Sequence, residues 1–108
     1  MKLARIDNMK NGWFVGDFEP TSFKTRSFEV CYRIHPAGEK WPKHYHKIAT
    51  EINLLVSGSM SLGETHLETG DIFILEPGDV ADPVFKEDCA VICIKTPSVP
   101  ADKYLLDD

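Results

Sequence analysis

No run of basic residues, no long apolar stretch and no helical periodicity mark this chain of 108 residues, and each absence closes off a class of protein. The 12 Lys and Arg residues are scattered, and against 17 Asp and Glu they leave a net charge of -5. Phosphate backbones need a concentrated positive patch, so nucleic acid is not an expected partner. No segment approaches the roughly 20 apolar residues that cross a bilayer, so no membrane contact is expected. Residues 1–7 lack the apolar run of a secretory signal, which predicts a cytoplasmic address.

Cysteine is also sparse. Cys31, Cys89 and Cys93 are an odd number without zinc-finger spacing. Cys89 and Cys93 share one strand-like run, where four residues separate Cα atoms by roughly 13 Å. A disulfide needs about 7 Å or less, so these two cannot pair there, and all three read as buried or half-buried thiols.

What is present fits one globular domain: 43% hydrophobic and 27% charged residues, with seven Gly and seven Pro punctuating short runs of β-branched, aromatic and aliphatic residues. Strands are expected over 28–34, 50–56, 59–62, 71–75, 80–85 and 89–95, with Ser57-Gly58 as a tight hairpin turn. Many short strands predict an all-β antiparallel sandwich or barrel. Residues 1–27 are less regular, suited to an edge strand or a subunit contact. The barrel proper spans 28–96, and the tail 97–108 offers a helical turn over 101–106.

One segment carries chemistry. His44 and His46 lie two apart and so project from one face of a strand, with Tyr45 opposite. Four residues separate His46 from Glu51, room for a bend that brings the carboxylate back over the same space. Two imidazoles and a carboxylate are a ligand set for one divalent first-row metal ion, such as Fe, Mn, Ni or Zn. A His-x-His pair alone is usually a surface accident. Beside the apolar Ile52, Leu54, Leu55 and Val56, burying those polar groups unpaired would cost about 2 kcal/mol or more, and a metal removes that cost.

These residues resemble the first motif of the cupin superfamily: Gly38, five residues, His44-Tyr45-His46, four residues, Glu51, six residues, Gly58. The run from Gly70 to Pro77-Gly78 is similar to the second motif. The resemblance covers roughly residues 28–96 and implies a jelly-roll with an interior metal. It also implies a homodimer, which the sequence itself only permits. The family's final His falls on Ala81. Either the neighbouring Asp82 replaces it after a one-residue shift of register, or the position is left to water or substrate.

Further residues are weaker candidates. Tyr32 alternates with Val30 and Ile34 and reads as core or as a substrate contact. Asn53 shares the phase of Glu51 and offers to orient the carboxylate or bind substrate. Trp41 walls the cavity mouth. Lys47 reads as a solvated loop lysine, or as an attractor of an anionic substrate. His35 and His66 read as surface histidines, and Glu76, Asp79 and Asp82 as solvated turn residues. Within the resembled family, this pattern implies a metal-dependent enzyme acting on a small polar molecule, of oxygenase, isomerase or decarboxylase type. The alternative is a metal-containing sensor or binding module without turnover.

Overall fold

The computed structural model describes residues 1–106. A 3-10 turn at Ile6–Asn8 precedes eleven short strands: β1 (Trp13–Gly16), β2 (Phe23–Lys24), β3 (Glu29–His35), β4 (His44–Tyr45), β5 (Thr50–Ser57), β6 (Ser59–Leu62), β7 (Thr65–Glu68), β8 (Ile72–Leu75), β9 (Pro83–Phe85), β10 (Cys89–Thr96) and β11 (Tyr104–Leu105). Among the described residues no helix is long and apolar enough to cross a membrane.

The strands form a six-stranded sheet in the order β2-β1-β3-β10-β5-β8, a three-stranded sheet β7-β6-β9 and a two-stranded sheet β11-β4. All neighbours run antiparallel except β1 and β2. The large and small sheets face one another across Leu55 and Val91 on one side and Met60, Leu67 and Phe85 on the other. Leu55 is fully buried, and cutting such a side chain to Ala costs about 3 kcal/mol. This is the expected jelly-roll, built as facing sheets with an open cavity between them.

Two local expectations are corrected. Ser57-Gly58 does not close a hairpin, because β5 pairs with β10 and β8 while β6 pairs with β7 and β9. Gly58 turns the chain from one sheet to the other. Its φ of +107° and the approach of Asp88 O to 2.5 Å from where a Cβ would stand leave room only for glycine. The tail is not a helical turn. Residues 104–105 pair with β4, Tyr104 against Tyr45 and Leu105 against His44.

Along β3 the usual apolar-in pattern is reversed, and the neighbouring strands carry aliphatic side chains outside as well as inside. On β3, Cys31, Arg33 and His35 line the cavity while Tyr32 and Ile34 are exposed. Ile52 on β5, Ile72 and Ile74 on β8, and Ile92 and Ile94 on β10 likewise stand on the outer face, in register with one another.

Candidate functional site

His44 and His46 reach the cavity because β4 is anchored on both sides. The His44 N–H donates to Ala81 O at 3.0 Å, and the Ala81 N–H returns to His44 O at 2.7 Å. Alternation then aims both imidazoles inward and sets Tyr45 against Tyr104, with ring centroids 5.5 Å apart. Residues 47–49 bend the chain into β5. The Asp102 carboxylate holds that bend by accepting the N–H groups of Lys47, Ile48 and Ala49 at 3.0, 3.1 and 2.9 Å. Glu51, second in β5, is thereby returned to the histidines within a cavity of about 540 Å³.

The hydrogen bonds assign the imidazole protons. His44 Nδ1 lies 3.0 Å from Pro42 O, and His46 Nδ1 bonds Asp102 O. A carbonyl only accepts, so each Nδ1 carries the proton and each neutral ring keeps its Nε2 lone pair. His46 Nε2 is buried without a hydrogen-bond partner. It sits 3.4 Å from Glu51 Oε1, and the Asn53 amide donates to Glu51 Oε2 at 3.0 Å. Two facing acceptors in a buried place need a cation between or beside them, either a proton or a metal ion. The residues therefore fit a metal in their chemistry. Among the described residues, however, no group of three His, Cys, Asp or Glu side chains already stands in an arrangement ready to hold one.

Protonation equilibria follow from these contacts. Burial works to raise the Glu51 carboxyl, but His46, Asn53 and the charge of Lys95 outweigh it and hold it at about 2. The Glu51 carboxylate 3.4 Å away raises His46. Burial lowers His44. The Cys31 thiol, directly opposite Cys93 in the cavity wall, is pushed by burial up to about 11, and Cys93 is pushed up by the same cause. Both remain protonated thiols.

The structure brings His44, His46, Glu51, Asn53 and Trp41 to one cavity. It does not bring Asp82 there. Ala81, Pro83 and Phe85 line the cavity, so Asp82 faces the other way, as strand alternation requires. Tyr32 is on the outer face, 38% exposed, neither core nor part of this cavity; it lines a separate pocket with the N-terminal segment. Lys47 is outside, its Nζ 4.2 Å above the Tyr104 ring. His35 is buried rather than a surface residue: it stacks on Phe85 at 4.2 Å and bonds Glu39 Oε2 through Nδ1 at 2.8 Å. His66 is exposed, and the Asp79 carboxylate caps its own turn by accepting Glu76 N–H.

Asp102, Lys95 and Lys103 were not legible as site residues. Lys95 shares the period-two phase of Cys93 and Val91, a signal that places it inside once the inner face is known. Asp102 and Lys103 carry no local signal, because the β11–β4 pairing alone brings them in.

No protein-family model and no curated protein matches the chain. Solved structures do. An uncharacterized conserved protein with a double-stranded β-helix domain from Klebsiella pneumoniae is 24% identical, with TM-score 0.66 over 78% of each chain. An RmlC-like cupin from Ralstonia eutropha is 20% identical with TM-score 0.60, over 77% of this chain and 58% of that one. The DMSP lyase DddQ from Ruegeria pomeroyi is 18% identical with TM-score 0.70; the match covers 86% of this chain but 49% of the lyase. The fold these structures share with the chain is the double-stranded β-helix.

Proposed function

We propose that His44, His46 and Glu51 hold one divalent first-row metal ion and that the protein is a metal-dependent enzyme acting on a small polar molecule. The observation that carries this reading is the orphaned Nε2 of His46, buried and facing Glu51 with its other nitrogen tied to a carbonyl. Such a fixed tautomer presents a lone pair to a cation. A bound metal supplies Lewis acidity toward a substrate oxygen. The chain's own residues do the rest. Asn53 fixes the carboxylate, Pro42 and Asp102 fix the imidazoles, and the apolar walls at Phe73, Leu75 and Val91 limit water. Ala81 beside His44 leaves that wall free of a further protein ligand, and a catalytic site keeps such a position open.

The test is metal analysis of the purified protein by mass spectrometry, with the His44→Ala/His46→Ala double variant as control. About one ion per chain, lost from a variant that stays folded, is expected. A folded native protein that takes up no Fe, Mn, Ni or Zn overturns the reading. Turnover of a small-molecule panel then separates an enzyme from a sensor, which would bind and not convert.

We further propose that the protein works as a homodimer, joined through the exposed apolar outer face of the large sheet rather than through the N-terminal segment. The exposed Tyr32, Ile34, Ile72 and Ile74 on this face support this, since monomers rarely expose large contiguous apolar patches.

A further inference from the structure

Lys95 and Lys103 line the cavity, and among the described residues neither makes an ion pair. Lys95 lies opposite Glu51 on β5 and Glu29 on β3, yet both carboxylates are otherwise engaged. Glu29 Oε2 accepts the Ser98 hydroxyl at 2.8 Å, and Glu51 faces Asn53 and His46. Lys103 reaches the rim of the same cavity from the tail. Neither ammonium group is within ion-pair distance of a carboxylate among the described residues. Each lies over an indole instead: Lys95 Nζ is 4.8 Å from the Trp13 ring centroid and Lys103 Nζ 4.6 Å from that of Trp41.

We propose that Lys95 and Lys103 form an anion-binding subsite beside His46 and Glu51, taking the carboxylate or phosphate head of a small organic acid. As an account of substrate class, this rests on reading the cavity as the substrate site. Burial, helped by the charges of Lys95 and Arg33 and opposed by that of Glu51, depresses the ammonium of Lys103, so the two lysine charges act on each other. Like charges held on one wall repel, and a bound anion converts that repulsion to attraction. The indoles hold the lysine heads by cation–π contact without neutralising them. Apolar walls at Phe73, Leu75 and Val91 suit an organic body behind the charged head. A volume of about 540 Å³ falls in the range of small-ligand sites. Lys47, next to His46 in sequence, points away over Tyr104 and does not line the cavity.

Isothermal titration of the full chain, as purified and after chelation, tests this with malonate, inorganic phosphate and neutral malonamide. Binding of malonate or phosphate without malonamide is expected, and whichever anion binds tells a carboxylate head from a phosphate. Lys95→Met and Lys103→Met should each weaken that binding by about tenfold or more, and Lys47→Met should leave it unchanged. Equal binding of malonamide, no binding of either anion at millimolar concentration, or folded Lys→Met variants that bind as the native protein does would overturn the proposal. The malonamide comparison needs no variant, so it stands even if one misfolds. The chelated arm contains no metal, so failure here is separable from failure of the metal reading.

Discussion

The main-chain carbonyl of Asp102 accepts the Nδ1 proton of His46, 56 residues earlier in the chain. The carboxylate of the same residue gathers the three N–H groups of the bend that follows His46. One tail residue therefore fixes both the tautomer of a candidate ligand and the turn that returns Glu51 to it. Backbone donors outweigh burial and hold the Asp102 carboxyl below its ordinary range.

Asp102→Asn should loosen the bend without emptying the position. An amide accepts through one oxygen only, and hydrogen bonds to a charged group contribute about 1.5–3 kcal/mol more than none. The expected result is a stability loss of about 2 kcal/mol by denaturant unfolding, together with metal affinity about tenfold weaker in chelator competition. Unchanged metal affinity would reduce Asp102 to a purely structural role.

The wall beside His44 gives a second prediction. Ala81 faces the cavity and is paired through its backbone to His44, whereas Asp82 lies on the opposite phase. Ala81→His should add a third imidazole and tighten metal binding by about tenfold or more. Asp82→Ala should leave metal occupancy as it is. A loss of metal on removing Asp82 would mean that the strand shifts register in solution.

How much of this could be read from residues alone depended on distance along the chain. His44, His46 and Glu51 span eight positions, and period-two alternation plus one bend suffices to bring them to one cavity. Asp102 and Lys103 arrive only through the β11–β4 pairing, which no local pattern announces. Tyr32 misleads for a different reason. Alternation on β3 shows two sets, Val30, Tyr32 and Ile34 against Cys31, Arg33 and His35, and the ordinary rule turns the apolar set inward. On β3 the set that lines the cavity is Cys31, Arg33 and His35, so the pattern there reads inside out. Of the two alternatives at the last motif position, the geometry disfavours Asp82, since one residue of shift is a change of face.

The His46–Glu51 pair predicts a stability profile with two limbs for the metal-free protein. Glu51 is depressed from 4.5 to about 2, so its contribution is complete above about pH 4.5 and is lost as pH falls toward 2. His46 is raised above 6.5, so its contribution is complete below 6.5 and is lost as pH rises through the raised value. Denaturant unfolding from pH 2 to 9 should show a maximum between these limbs. Glu51→Gln should shrink both limbs together, because one contact is common to the two shifts. Metal affinity should run the other way from His46 protonation and weaken on acidification, since a proton and a metal compete for Nε2. A profile that Glu51→Gln leaves unchanged would show that the pair is not formed.

The outer face of the large sheet sets the last prediction. Tyr32, Ile92, Leu54 and Ile72 stand in register across β3, β10, β5 and β8, and Val30, Ile94, Ile52 and Ile74 form a second row. Ile72 is 67% and Ile74 55% exposed, and no helix or second sheet covers them among the described residues. Two such faces related by a twofold axis would meet as stacked sheets do, about 10 Å apart. A self-complementary apolar face favours a second copy over an unrelated partner, because one surface then serves both sides of the interface. Light scattering after gel filtration should give about twice the 12.2 kDa of a single chain. Ile72→Lys with Ile74→Lys should yield a folded monomer, since both side chains already face outward and the inner core at Leu55 and Val91 is untouched. A native protein that elutes as a monomer at tens of micromolar, or a double-lysine variant that stays dimeric, would assign this face to something other than self-association.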